Sequence, residues 1–333
     1  MIGSDQMMNN SKHPIETGRY IICTEQINNA KAIVFNWIDK RMPGAIIYGK
    51  PRMGKTSLIN YIRRTLNEEF DTPIPTFHIM CKTYASPKES TFFGDLLASV
   101  GHSLSLEGST PEKRIRLNNY LVNTVEKSNQ NKLVFFIDDA QRLTDIQYNW
   151  LMDIYNELDA YGICLISVLV SQEEIITRLN RFRERKLTQI IGRFMSDDYR
   201  FTGVMTKDDL SYLLNEYDEG SEYPVGSNIS FTQHYFPTNY EKGFRLFNYL
   251  PQLLSAFAQI QDEHDIVEFK EIPMLYITRA VEFILRNYSE NEHNVSEITV
   301  QNWIEAIEES GYVNANSSLY KDKRLDETYL KRV

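Results

Sequence analysis

Cysteine is scarce. The 333 residues hold three, Cys23, Cys81 and Cys164, odd in number and widely spaced. This excludes a disulfide framework, and no Cys/His spacing suits a metal site. Free thiols, buried in a reducing cytoplasm, are expected instead. No apolar run approaches the roughly 20 residues of a membrane span. Met1–Lys12 is polar and lacks the apolar centre of a secretory signal. The sequence therefore predicts a soluble, cytoplasmic chain without a membrane partner. Positive charge is in deficit, with 36 Lys and Arg against 45 Asp and Glu and a net charge of −9. That excludes a surface coated on all faces by nucleic acid, although a local basic track stays open. Internal repeats and long low-complexity tracts are missing as well. What remains is ordinary globular composition, 42% hydrophobic and 24% charged, in a chain long enough for two packed units.

The most specific stretch is Gly49-Lys50-Pro51-Arg52-Met53-Gly54-Lys55-Thr56, followed by Ser57. It reads G-x-x-x-x-G-K-[ST], the phosphate-binding loop of P-loop nucleotide hydrolases. The apolar run Ala45–Tyr48 before it suits a buried parallel strand. After it, Leu58, Ile59, Ile62 and Leu66 recur at helical spacing. Glycines let the chain wrap close to oxygen atoms, and backbone N–H groups at a helix N-terminus present positive potential to a polyphosphate. ATP is the expected ligand, with Lys55 on the β- and γ-phosphates and Thr56 on Mg²⁺.

A second signal is Leu133–Asp139, an apolar strand ending in two carboxylates. Asp138 is expected to hold Mg²⁺ opposite Thr56, and Asp139 to polarise the attacking water. A further strand, Ile163–Val170, ends at Ser171 and Gln172, where a polar group could meet the γ-phosphate or simply cap a helix. The basic run Arg178–Lys186 and Arg193 precede a short strand at Tyr199–Phe201.

Between these markers the chain reads as helices. Met1–Glu16 looks like a flexible arm, within an N-terminal arm set at 1–23. Thr24–Asp39 is amphipathic and either walls a nucleotide base or packs on the sheet. Helices are expected at Thr91–Val100 and from Thr110 to about Glu126. For the second, Thr110 is the N-cap, Pro111 stands at the first helical position, and Ile115, Leu121, Val122 and Val125 form the stripe. Thr144–Tyr161 is a further helix, stopped by Gly162. The nucleotide-binding unit is placed at 24–204 and a helical lid at 205–313. Within the lid, Asp218–Asn239 reads as an ordered loop or insertion, and Gly243-Phe244-Arg245 opens a helix. Pro273–Arg286 and Thr299–Ser310 are helical, and Asn314–Val333 is a polar tail.

This order of motifs resembles the AAA+ ATPases over about Thr24 to Ile307. The resemblance implies an αβα sandwich on a parallel sheet with a small C-terminal helical lid. It also implies that Ser171 or Gln172 senses the γ-phosphate, that Arg245 reaches it from the lid, and that Arg193 reaches a neighbour's nucleotide (Arg181, Arg183 and Arg185 are rivals). The helical segment between the second and third strands resembles the initiator branch. Ile46–Ser57, Leu133–Leu143 and Gln189–Phe194 resemble the TnsC/TniB transposition regulators. That implies a homo-oligomeric ring or filament on duplex DNA, linking a transposase to a TniQ-type target selector and dismantled by slow hydrolysis. Lys88, Thr110, Lys113, Arg114 and Arg116 are the expected contacts to the DNA backbone. A replication initiator or loader, or a nucleotide-switched scaffold, are the alternatives. Asp139 departs from the family, whose usual residue is glutamate.

Overall fold

A computed structural model of the chain describes residues 12–70, 72–264, 266, 271–289 and 297–316. It divides into two compact units, residues 26–202 and residues 12–25 with 203–316.

The first unit is built on a five-stranded parallel sheet among the described residues: β1 (Gly44–Tyr48), β2 (Thr76–Met80), β3 (Lys132–Asp138), β4 (Cys164–Ser171) and β5 (Asp198–Arg200), in the order β2-β3-β4-β1-β5. β3 and β4 are almost wholly buried because helices cover both faces, which suits their continuous Val, Ile, Leu and Phe content. Alternation sorts the side chains. Leu133, Phe135 and Ile137 join the core made with α4 (Glu89–Ser99), α5 (Thr110–Lys127), α6 (Asp145–Ala160), α7 (Glu174–Glu184) and α8 (Thr188–Phe194). Lys132, on the opposite face, donates to the Ile38 carbonyl at 3.3 Å. Its ammonium also lies 4.9 Å from the Phe70 ring. These contacts place α2 (Glu25–Asp39) and α3 (Lys55–Glu69) on the other side, with Val34, Trp37, Leu58 and Ile62 buried.

The register matters most for function. Tyr48 pairs with Ser171, Ile137 with Leu169 and Met80 with Asp138. The carboxyl ends of β1, β3 and β4 therefore finish at one edge, where ligands bind in open α/β sheets. At the other end of β1, Gly44 meets the backbone of α8. A Cβ there would sit 2.4 Å from the Arg193 carbonyl oxygen and 2.6 Å from the Phe194 Cα. Both neighbours are backbone, so neither can turn aside. Gly44→Ala is expected to cost about 1–3 kcal/mol, read as a lower denaturant midpoint.

α5 corrects the expected apolar stripe. Its buried residues are Lys113, Leu117, Leu121 and Val125, while Ile115 is 62% exposed. The N-cap is Ser109, which forms a capping box with Glu112, and Thr110 is the first helical residue.

The second unit is helical. It contains α1 (Pro14–Thr17), α9 (Lys207–Asn215), α10 (Phe231–Tyr235), α11 (Pro237–Glu241), α12 (Leu250–Glu263), α13 (Met274–Asn287) and α14 (Val300–Glu309). Its core gathers Ile15, Tyr217, Phe236, Leu253, Ile277 and Trp303. One expectation is corrected here. From residue 12 on, the arm is packed, not free. Ile15 and Ile22 are buried, Tyr20 donates to Glu282 at 2.8 Å, and Arg286 donates to the Ile15 carbonyl. The 218–239 stretch is largely irregular between residues 221 and 230, with Val225 92% exposed, and its second half feeds the core, where Phe231, Tyr235 and Phe236 are buried with Tyr217. Asp218 is itself buried, and its carboxylate accepts the Leu246 and Phe247 amides at 2.9 Å each. Of the expected tail, Asn314–Asn316 continue a helical turn, with the Ala315 amide donating to the Gly311 carbonyl. Residues 317–333 lie outside the described set. No helix among the described residues is long and apolar enough to cross a membrane. The three cysteines are free thiols, and Cys81 alone is fully buried.

Candidate nucleotide site

The loop between β1 and α3 starts at Gly49, where a Cβ would lie 2.1 Å from the Phe201 carbonyl oxygen. Glycine at 49 is thus required by close packing beside the end of β5. Gly54 has φ of 99° and caps α3, a conformation that L side chains rarely adopt. Arg52 also stands at positive φ, 65°. Met53 is buried and anchors the loop from below. Pro51 is exposed, and Lys50 offers its carbonyl to Lys55. The first turn of α3 carries Lys55, Thr56 and Ser57, so its free N–H groups face the loop's concave side.

Lys55 Nζ donates to the carbonyls of Gly49 and Lys50 at 2.7 Å each. Burial lowers its pKa, and Asp138, Asp139, Glu173 and Glu174 oppose that shift. Thr56 Oγ1 donates to Asp138 Oδ2 at 2.8 Å. The two halves of the expected metal site, on α3 and β3, thus meet at one point. A hydroxyl and a carboxylate are hard oxygen donors beside a helix N-terminus, and this set fits a small divalent cation carried with a polyphosphate.

Asp138 is nearly buried, which opposes its ionisation. Hydrogen bonds from His78, Thr56 and the Asp139 amide outweigh that and hold its carboxyl below the usual range. His78 Nε2 lies 3.3 Å from Oδ2 and the Asp139 amide 2.9 Å from Oδ1. A depressed folded pKa means stability that is present above the unfolded value and lost as pH falls through the folded one. The Asp138 carboxyl is expected to titrate below the ordinary carboxylate range in a ¹³C NMR titration. Thr56→Val, which removes one donor, should move that titration upward.

Asp139 adopts the left-handed region, φ 54° and ψ 37°, and opens a short 3-10 turn, Ala140–Arg142. That turn folds back on it. Gln141 Nε2 donates to Asp139 Oδ1 at 2.9 Å, and Arg142 pairs with Oδ2 at 3.1 Å. Ser171, buried at the end of β4, donates its hydroxyl to Gln141 Oε1 at 2.9 Å. The Gln172 amide approaches the same oxygen at 3.3 Å, so at Gln172 it is the backbone that contributes. His78, Gln141 and Arg142 join the site although no motif in the sequence marks them. Their signal was local: His78 stands two residues before the end of β2, and the other two directly follow the paired carboxylates.

The remaining candidates lie elsewhere. Arg193 donates to Asn156 at 3.1 Å and sits over the Tyr155 ring. Its backbone flanks Gly44 at the start of β1, about 16 Å from the phosphate loop at roughly 3.3 Å per strand residue. Arg181 and Arg185 both pair with Asp145, and Arg183 donates to Asn180. In the helical unit, Arg245 precedes a 3-10 turn with extended backbone (φ −143°, ψ 141°), which corrects the expected helix start. Its guanidinium lies 3.4 Å from the Tyr240 ring centre and donates to the Tyr240 and Phe244 carbonyls.

The expected cationic track is corrected at Lys113, and two more of its residues hold acceptors of this chain. Lys113 is buried and donates to Ser90. Arg114 pairs with Glu89 at 2.5 Å and Asp153 at 3.0 Å, and Arg116 donates to the Leu104 and Glu107 carbonyls at 2.7 Å each. Lys113 is turned inward, whereas Arg114 and Arg116 hold these acceptors at the partly exposed surface. Lys88 is exposed just ahead of α4, and Thr110 is half-buried.

Residues 41–179 match the family model described as an AAA domain. No curated protein matches the chain by sequence. Among solved structures, the chain is similar to the ORC2 protein of Aeropyrum pernix in its ADP form. The TM-score is 0.53 and the identity 14%, over 90% of this chain and 73% of that one. It is also similar to the Aeropyrum pernix ORC1 protein in complex with DNA, at TM-score 0.46 and 11% identity over 91% and 88% of the two chains. A third likeness is to AMPPCP-bound DnaA from Aquifex aeolicus, at TM-score 0.38 and 14% identity over 96% and 95%. Of the three, the first is close enough to speak to the fold, an AAA+ P-loop αβα sandwich followed by a helical region.

Proposed function

We propose that the chain is an ATP-hydrolysing AAA+ switch of the replication initiator or loader type, acting as an oligomer on duplex DNA. The observation that carries the ATPase reading is the 2.8 Å contact of Thr56 with Asp138 at the mouth of the phosphate loop. The loop amides and the α3 N-terminus bind the phosphates, and Lys55 neutralises the terminal ones. Thr56 and Asp138 would hold magnesium, which when bound would supply neutralisation of the phosphate charge. Asp139 takes a proton from the water as its oxygen bonds to the terminal phosphorus and ADP leaves.

The initiator reading draws on the paired helices α4 and α5 between β2 and β3, and on the ORC2-like fold. Arg193 cannot reach its own loop from the far end of β1, which fits service to a neighbouring copy. Arg245 is the candidate sensor from the helical unit. With Lys113 turned inward, DNA contacts would come from Lys88, Thr110, Arg114, Arg116 and other exposed groups of several subunits, acting by multivalency.

A transposition regulator is the second reading, favoured by the resemblance of Ile46–Ser57, Leu133–Leu143 and Gln189–Phe194 to TnsC/TniB sequences. A TniQ-type selector and a transposase would then be partners. One experiment addresses the shared core: Mg²⁺-dependent ATP turnover, with electron microscopy of the protein in a slowly hydrolysed ATP analogue, with and without duplex DNA. Rings or filaments are expected. Monomers in every condition would remove the oligomeric switch, and absent turnover the ATPase. Pull-down with a replicative helicase against a transposase separates the two readings.

A further inference from the structure

We propose that Gln141 is a positioning residue that couples the Ser171 hydroxyl to the Asp139 carboxylate, so that the end of β4 sets the aim of the proton acceptor. This rests on the reading of Asp139 as that acceptor.

The geometry begins in the backbone. The left-handed Asp139 turns the chain into the Ala140–Arg142 turn, which returns Gln141 to the Asp139 side chain. The turn is held from outside, because Arg178 on α7 donates to the Gln141 carbonyl at 3.0 Å. Ala140 is fully buried below it. The amide has one orientation that satisfies its neighbours. The Gln172 backbone N–H can only donate, so the atom facing it at 3.3 Å must be the oxygen Oε1. The NH₂ then faces Asp139 Oδ1 at 2.9 Å, an acceptor when ionised. A flipped amide would set donor against donor and acceptor against acceptor.

Ser171 completes the chain of bonds. Its hydroxyl has one proton, and that proton goes to Gln141 Oε1 at 2.9 Å. A phosphate oxygen that drew this proton would leave Oε1 with the longer Gln172 bond alone. The amide would then be less firmly held on Asp139. Asp139 is a short acid, so the direction of each oxygen matters more than for a longer side chain. Arg142 fixes the other oxygen, Oδ2, and its guanidinium also reaches the Cys81 carbonyl at 3.4 Å. Of these two restraints, the Gln141 one runs to the end of β4.

The test compares Gln141→Glu, Ser171→Ala, Ser171→Thr and the Gln141→Glu/Ser171→Ala double variant with the parent in Mg²⁺-dependent ATP hydrolysis. Gln141→Glu keeps shape and the acceptor for Ser171 but sets a carboxylate against Asp139. It is expected to lower kcat about tenfold or more, with KM and affinity for a fluorescent ATP analogue within about threefold. Ser171→Ala should lower kcat, Ser171→Thr should restore it, and the double variant should be no worse than Gln141→Glu. A parallel loss of nucleotide affinity, a Ser171→Thr variant that stays as slow as Ser171→Ala, or single effects that multiply in the double variant would each overturn the coupling. If the parent itself shows no turnover, the ATPase reading fails separately. Melting temperatures of the same proteins without nucleotide then decide the bridge, and single shifts that simply sum would overturn it.

Discussion

Replacing Lys55 by alanine is expected to lower ATP turnover by about 10²–10³-fold, the scale for removing one preorganised charged donor from a reaction's developing negative charge. The ammonium is preorganised, since the Gly49 and Lys50 carbonyls hold it at 2.7 Å each, at the start of α3. Burial works against its charge and the nearby carboxylates of Asp138, Asp139, Glu173 and Glu174 work for it. The variant loses the cation and keeps the loop, whose shape depends on Gly49, Gly54 and the buried Met53. Its melting temperature should therefore match the parent's. A steady-state phosphate-release assay reads the loss, and turnover within threefold of the parent would remove Lys55 from the chemistry.

Asp218→Ala is expected to give a large loss of stability in the helical unit. The buried carboxylate accepts the Leu246 and Phe247 amides, which are otherwise left without a partner. At about 1–3 kcal/mol for each stranded donor, the cost is roughly 2–6 kcal/mol. That is a large share of the about 5–15 kcal/mol that holds a typical domain folded. Burial raises the Asp218 pKa above its ordinary 3.8, despite these amides. A raised folded pKa means that the group's contribution is complete below the unfolded value and declines as pH rises through the folded one. The penalty of Asp218→Ala should therefore be greater in mildly acidic buffer than at neutral pH. Asp218→Asn, which keeps one acceptor oxygen, should lose about half as much. Chemical denaturation at two pH values measures both. Asp138 has the opposite sign, so acid weakens its contribution while strengthening that of Asp218.

The site was legible where chemistry demands a fixed spacing. Gly49–Thr56 and Leu133–Asp139 announced the loop and the paired acids, and the parallel register then brought their ends together. The sequence was less informative about which way charged side chains turn. Lys113, Leu117, Leu121 and Val125 follow a four-residue step, and the lysine belongs to the buried stripe. Read as a cation, it pointed to DNA; read by its spacing, it pointed inward. Polar composition likewise hid the packing of residues 12–24, whose anchors are the single apolar side chains Ile15 and Ile22 and the Tyr20 hydroxyl. Gly and Pro in 218–239 hid the buried Phe231, Tyr235 and Phe236. The Gln141 amide meets a hydroxyl 30 residues away at Ser171, and no periodicity reports such a contact.

The helical unit is discontinuous in sequence, and this sets an order of events during synthesis. Residues 26–202 form one continuous stretch and can close their sheet before the helical unit is complete. The helical unit must wait, because Tyr20 bonds Glu282 across 262 positions and Ile15 meets Arg286 across 271. Until those partners emerge, the early apolar residues Ile15 and Ile22 have no core to enter. A tag or truncation at the N-terminus accordingly acts on the part of the molecule made last, although the phosphate loop is its nearer neighbour along the chain.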